Sequence, residues 1–287
     1  MKLKSKQLKF FKTNGYIKLE KILRKKHFDS IKRIIDPWVN DKIENWFDEG
    51  LISHKYSKLN FWQRFLVAWK DAGKPSFRRN PNKWLINNRM YKLLKDKVFI
   101  DLAYQLLDTK EISVHGIFNT RPQLPAADFA KAPWHQDSQY WSMNYGQKYD
   151  DPYKSNVLTF FIPLQNVGTN SGCLSLMSLK DTKNKLFKAV EYDFKNTGYL
   201  GLSKNDILKY KKKPIPMKVG DILIFNHLVP HGTNPQKKQH IRWSLDIRYE
   251  ATHNATGLGK KFGFIASSEK KQNITKRSSW VNKSLGR

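Results

Sequence analysis

Trp134-His135-Gln136-Asp137 and the distant Val229-Pro230-His231-Gly232-Thr233 carry residue types that can hold a metal. A His-x-Asp on a strand turns both side chains to one face, because strand side chains alternate with period two. One imidazole and one carboxylate then point the same way, and a second histidine from a remote strand completes a facial set of three. Two neutral nitrogens and one carboxylate suit Fe(II) and leave coordination positions open. A bidentate 2-oxo acid and dioxygen (O2) can fill them. Arg242 is expected on the strand after His231. Its planar fork could pair with the distal carboxylate of 2-oxoglutarate, and the Thr233 hydroxyl could bond the same group.

Each piece alone is ambiguous. A His-x-Asp is common by chance, and His227, His231 and His240 all compete for the third position. His231 is favoured: a strand precedes it, a small Gly-Thr turn follows it and Arg242 lies on the next strand. His227 reads as a neighbour of the site or a structural histidine, and His240 as a loop residue.

These residues need elements to position them. Leu8–Asn14 reads as a short helix ended by Gly15, and Tyr16–Leu19 alternates like a strand. His27–Ile35 reads as an amphipathic helix stopped by Asp36-Pro37. Phe61–Trp69 and Tyr91–Leu107 are also helical in pattern. After Asp108 come strand-like segments at Ile112–Asn119, Val157–Leu164, Gly172–Met177, Asp221–Asn226 and Ile241–Tyr249, separated by Gly, Pro and Asn turns. Helices first and strands second, without βαβ alternation, predict a mainly β, helix-flanked antiparallel barrel or sandwich. One domain is expected over 1–287: a helical part to about 110, a β core over about 111–250 and a tail from 251. The tail should end in a short helix that packs Trp280 back on the core.

A chain of 287 residues can bury a full core. Its one cysteine, Cys173, excludes an internal disulfide and a multi-cysteine metal site, and suits a reducing compartment. The basic start lacks the apolar stretch of a signal peptide. The longest apolar run, near Val157–Leu164, is too short to cross a bilayer. A cytoplasmic protein without a membrane span is expected; nothing in the sequence sets its oligomeric state. The formal net charge of +29 suggests either a polyanionic partner or a compositional bias toward lysine. The lysines are scattered, with only short clusters such as Lys211–Lys213, and no nucleic-acid motif is present. A small-molecule substrate is therefore preferred over nucleic acid, and the positive field would suit an anionic one.

The chain resembles the phytanoyl-CoA dioxygenase-like (PhyH) family of Fe(II)/2-oxoglutarate-dependent oxygenases, from about Leu8 to about Trp280. Phe10–Tyr16 resembles the family's N-terminal helix and Gly-Tyr turn. Asn170-Ser171-Gly172-Cys173 resembles the turn after the metal motif. Val219–Thr233 resembles the strand that delivers the second histidine, and Phe264–Ser268 a tail seen in part of the family. The resemblance implies a double-stranded β-helix, a jelly-roll or cupin-like barrel. It implies Fe(II) on His135, Asp137 and His231, and 2-oxoglutarate on Arg242 and Thr233, with Asn119 and Gln136 as further co-substrate contacts. It also implies hydroxylation of a C–H bond with decarboxylation of 2-oxoglutarate to succinate, since related halogenases lack the carboxylate that Asp137 supplies. Trp134, Gln139, Tyr140, Trp141 and Tyr145 cluster around the metal motif, and an aromatic substrate pocket there competes with core packing. Trp141 matches an aromatic near the iron in some members, and Phe161 stands where a strand tryptophan is common. The stretch Leu176–Lys180 lacks the Pro-Gly-Ser-His turn frequent in the family, so a relative's substrate does not transfer. The competing readings are the same chemistry on nucleic acid, or a jelly-roll binding protein without catalysis.

Overall fold

The computed structural model describes residues 1–76, 85–125, 132–143, 153–192 and 199–285. The N-terminal part holds α1 (Ser5–Asn14), β1 (Tyr16–Leu19), α2 (Lys25–Asp48), α3 (Phe61–Asp71), α4 (Asn88–Leu94) and α5 (Lys97–Leu107). The strands β2 (Ile112–Val114) and β3 (Asn119–Gln123) follow, then α6 (Asp137–Met143), β4 (Val157–Pro163), β5 (Leu174–Leu176) and α7 (Leu179–Thr182). Next come β6 (Val190–Tyr192), β7 (Tyr199–Gly201), α8 (Lys204–Lys209), β8 (Lys213–Ile215), β9 (Ile222–Asn226), β10 (His231–Thr233) and β11 (Arg242–Ala251). The chain continues through α9 (Gly257–Phe262), β12 (Phe264–Ser267) and α10 (Arg277–Leu285).

A seven-stranded sheet runs β1-β9-β4-β11-β2-β12, with β3 also on β11; a second sheet runs β10-β5-β8, and β6 pairs with β7. The observed architecture is an N-terminal helical layer on a multi-stranded antiparallel core. Among the described residues no helix is long and apolar enough to cross a membrane.

Strand β11 organises the site. All ten of its residues are buried. Trp243, Leu245, Ile247 and Tyr249 join the core formed with the helices, packed beside Leu158, Phe160 and Ile162 of β4. Trp243 lies 6.0 Å from Trp38 of α2 and 5.6 Å from Phe65 of α3. Strand alternation then turns Arg242, Ser244, Asp246, Arg248 and Glu250 to the other face. On that side Tyr16, Phe161, Leu223 and Phe225 of the large sheet pack with Leu174, Leu176 and Ile215 of the small one.

Several local expectations need correction. Pro37 does not stop the second helix: α2 runs through it to Asp48. Ile31, Ile34, Ile35, Trp38, Val39, Ile43 and Trp46 form one buried stripe, and that packing offsets the roughly 3 kcal/mol an interior proline costs. The segment Tyr91–Leu107 is two helices, because the Asp96 side chain caps a new start at Val98 N–H. The segment Ile112–Asn119 is two strands, broken at Gly116 with φ +82°, where a Cβ would lie 2.3 Å from the Phe262 backbone. Trp280 is buried as expected, its ring 4.9 Å from Phe264.

Candidate metal centre and co-substrate site

His135, Asp137 and His231 come together. Their ligand atoms all lie within 4.8 Å of one another, the one such group among the described residues. His135 forms an isolated bridge with His231, each backbone N–H donating to the other's carbonyl at 2.9 Å. Asp137 opens α6. The His-x-Asp is therefore a bridge running into a helix start, not a strand, and the expected Gly-Thr turn after His231 is strand β10.

Backbone carbonyls choose the tautomers. His135 Nδ1 donates to Pro133 O at 2.7 Å, and His231 Nδ1 donates to Val229 O at 3.0 Å. A carbonyl only accepts, so in both rings Nε2 carries the lone pair. Both Nε2 atoms face Asp137 Oδ1, at 3.7 and 3.9 Å. His227 has the opposite arrangement: its Nδ1 accepts the Val157 N–H at 3.2 Å, so its proton sits on Nε2. The ligand atoms that converge are those of His231 with His135 and Asp137, and His227 is not among them.

The other oxygen of Asp137 is held by β4 and β11. Thr159 Oγ1 donates to Oδ2 at 2.5 Å, and Arg248 Nε donates to both Oδ2 and Thr159 Oγ1 at 3.1 Å. Arg248 Nη2 sits 3.1 Å from each carboxylate oxygen, and Nη1 donates to Ile117 O. Thr159 and Arg248 are directly paired across the strands. Burial would push the Asp137 carboxyl up, but Arg248, the two histidines and the Thr159 bond outweigh it and hold it well below the usual range. His115, fully buried nearby, is pushed down to about 3 by burial and by Arg248, against the pull of Asp137.

Arg242 lies on the same face of β11, 2% exposed. Its Nε and Nη2 donate to Gln123 Oε1 at 3.1 and 2.7 Å, and its Nη1 to Ser244 Oγ at 2.6 Å. The guanidinium stands 5.6 Å from the Phe161 ring. Phe161, expected near substrate, is thus packed at this end of the site. Thr233 closes β10 opposite Leu174, and the next residue, Asn234, accepts the Gln123 amide N–H. Asn119 lies across from Asp246, in the same cross-strand row as Phe161.

Other expected site residues are engaged elsewhere. Gln136 is fully buried; its Nε2 donates to Lys185 O and Leu228 O, and its Oε1 accepts the Phe187 N–H. Gln139 bonds Phe187 O and the Gln136 N–H. These two amides brace the loop over 185–187. Tyr140 stands 5.2 Å from the His135 ring, edge to face, with its hydroxyl on Leu200 O. Trp134 lies against Gly232, where a Cβ would come within 3.0 Å of the indole. Trp141 is on α6, but its side chain, like all of Tyr145, lies outside the described residues.

The sequence reading missed Arg248, Thr159, Gln123 and Ser244. For Arg248 a signal existed: an even spacing from Arg242 on one strand puts both on one face. The same even spacing covers Ser244; for Thr159 and Gln123 the signal is cross-strand register, which one sequence does not display.

The donor set fits iron: two imidazoles with fixed Nε2 lone pairs and one ionised carboxylate suit Fe(II), and a nearby guanidinium fits a dicarboxylate. A family model described as Phytanoyl-CoA dioxygenase (PhyH) matches residues 11–244. No curated protein matches the chain. Among solved structures, EvdO2 from Micromonospora carbonacea var. aurantiaca is similar at 17% identity and a TM-score of 0.56, over 88% of this chain and 92% of that one. EctD from S. alaskensis with 2-oxoglutarate and 5-hydroxyectoine is similar at 16% identity and 0.55, over 88% and 77%. The carbocyclase SnoK from nogalamycin biosynthesis is similar at 13% and 0.54, over 94% and 89%. These likenesses concern the fold, whereas the family match spans most of the chain and includes every member of the metal group. The protein is an Fe(II)- and 2-oxoglutarate-dependent enzyme of the phytanoyl-CoA dioxygenase (PhyH) family.

Proposed function

We propose that the enzyme hydroxylates an unactivated C–H bond of a small molecule, with 2-oxoglutarate decarboxylated to succinate and carbon dioxide. His135, Asp137 and His231 hold the iron in this reading, and Arg242 with Thr233 holds the distal carboxylate of 2-oxoglutarate. The antiparallel core is read as a double-stranded β-helix around them. When bound, the iron supplies dioxygen activation coupled to oxidation of the co-substrate and then of the substrate C–H.

The observation that carries the reading is the divided work of Asp137. Its Oδ1 faces both Nε2 atoms, while Thr159 and Arg248 hold Oδ2. A carboxylate fixed in this way occupies the position that a halide would need, which supports hydroxylation over halogenation. Burial of all three ligands keeps water from competing for Nε2 and Oδ1. The similar solved structures include an epimerase and a carbocyclase, so the product decides the outcome.

Two measurements test this. Anaerobic protein with Fe(II) and 2-oxoglutarate should show a weak metal-to-ligand absorption band that His135→Ala lacks. A metabolite screen read by succinate release should then yield a product that has gained one oxygen. No band in the wild-type protein sinks the site assignment; a product that has only lost hydrogen or changed configuration sinks the hydroxylase.

A further inference from the structure

The segment between β5 and β8 forms a small body of its own beside the metal group. Met177, Phe187 and Leu202 are buried together there, with Trp134, Ile207 and Tyr210 packed against them. Trp134 directly precedes His135, so this minor core is built partly on the metal motif. Trp134 O accepts the Leu202 N–H at 2.7 Å. Strand β7 passes so close that a Cβ on Gly201 would stand 2.7 Å from the same oxygen. The Tyr140 hydroxyl donates to Leu200 O at 2.8 Å and accepts the Leu200 N–H at 3.1 Å, while its ring stands edge-on to His135 at 5.2 Å. One aromatic ring thus separates this wall from a metal ligand.

Gln136 ties the wall to both halves of the metal group. It lies between His135 and Asp137 in sequence and is fully buried. Its Nε2 donates to Lys185 O at 2.8 Å and to Leu228 O at 2.6 Å, and its Oε1 accepts the Phe187 N–H at 2.8 Å. Carbonyls only accept and an N–H only donates, so the amide has one orientation. Gln139 adds a second grip: its Nε2 donates to Phe187 O at 3.0 Å and its Oε1 accepts the Gln136 N–H at 3.1 Å. One side chain therefore joins three stretches distant in sequence: the ligands at 135 and 137, the turn that leads to His231, and the wall at 185–187. An ion held by His135 and Asp137 fixes the backbone at 136, and an ion held by His231 steadies the turn at 228. Both effects reach Phe187 through the same amide.

We propose that Gln136 is a positioning residue that couples metal occupancy to the ordering of a substrate cap, the wall at 185–187 and 199–202. The cap is loosened over an empty site and held over a loaded one. The inference rests on His135, Asp137 and His231 holding the iron. Coupling of this kind is reciprocal, so the ordered cap also tightens the metal. Amide hydrogen exchange of anaerobic protein with and without Fe(II) tests it, because exchange reads local opening. In wild type, Fe(II) should slow exchange of the Phe187 and Leu202 N–H groups about tenfold, an ordinary strength for two linked sites. Gln136→Met keeps the bulk and removes the amide. There Fe(II) should slow Phe187 by no more than about twofold, and the Fe(II) Kd should rise about tenfold, the same coupling read from the other end. Gln139→Met leaves the central amide in place and should retain a slowing of about threefold. Equal metal protection of Phe187 in wild type and Gln136→Met overturns the proposal, and so does its absence in wild type that binds Fe(II). Outright loss of Fe(II) binding in both variants marks a merely structural role and overturns it as well. Where Gln136→Met fails to fold, Gln139→Met decides alone, and undiminished protection there is fatal. Wild type that binds no Fe(II) sinks the metal reading itself.

Discussion

Two arginines on one face of one strand have different fates. Arg248 is spent on a resident carboxylate, with three contacts to Asp137 at 3.1 Å. Arg242 is gripped by an amide and a hydroxyl. The first makes a metal ligand permanently anionic and fixes its aim. The second is placed in a buried position by neutral groups of its own strand and of β3. Residue type says little about an arginine's role here; the groups that hold it say more.

The contrast can be broken by substitution. Arg242→Ala should have the largest effect, weakening 2-oxoglutarate binding on the order of 100-fold while leaving Fe(II) affinity nearly intact. Equal loss of both in parallel titrations would show that the two ends of β11 are one unit. Arg248→Met should do the reverse. It should lower Fe(II) affinity about 10- to 100-fold, the usual cost of removing a partner that orients a metal ligand. It should also destabilise the metal-free protein by about 3 kcal/mol, because a buried carboxylate loses its counter-ion. Unchanged thermal unfolding of metal-free Arg248→Met would refute the ion pair. Thr159→Val should be milder, about 1 kcal/mol, seen as a several-fold drop in Fe(II) affinity.

The smallest effect is on pH. His115 has its pKa lowered from 6.5 to about 3 by burial and Arg248. Between those values the unfolded chain binds the proton and the folded one does not. Its contribution is therefore full above about pH 6.5 and is lost as pH falls toward 3. Urea unfolding of metal-free protein should show stability declining over that window, with a shallower decline in His115→Gln. An identical slope in the variant would clear His115 of the effect.

Much of the metal group was legible because it depends on side-chain chemistry in chain order: His135, Asp137 and His231 announce themselves by type. The choice of His231 over His227 was reached from neighbouring elements, and the structure adds a tautomer argument that no sequence displays. For Gln136 and Gln139, proximity to a metal motif says nothing about where an amide turns, and in the structure both bond backbone groups. Thr159 was hidden inside an apolar run, since its role comes from the residue opposite, Arg248. Pro37 was read by a local rule that a buried stripe of isoleucines and tryptophans overrides. Trp280 was legible for the converse reason, as a large aromatic in a polar tail that has few places to go but the core.

The register of the large sheet also dictates when the site can exist during synthesis. Strands β1 and β4 find their first partner only at Ile222–Asn226, and β2 and β3 wait for β11. A ribosome adding about 5–20 residues per second therefore exposes His135 and Asp137 well before His231, Arg242 and Arg248 emerge. Until then the nascent chain holds an unpaired half-site and unzipped strand edges, the condition in which stray metals and neighbouring chains compete with folding. Completion of β11 joins β2, β3 and β4 and supplies both arginines, and only β12 is then left to add at the edge of β2.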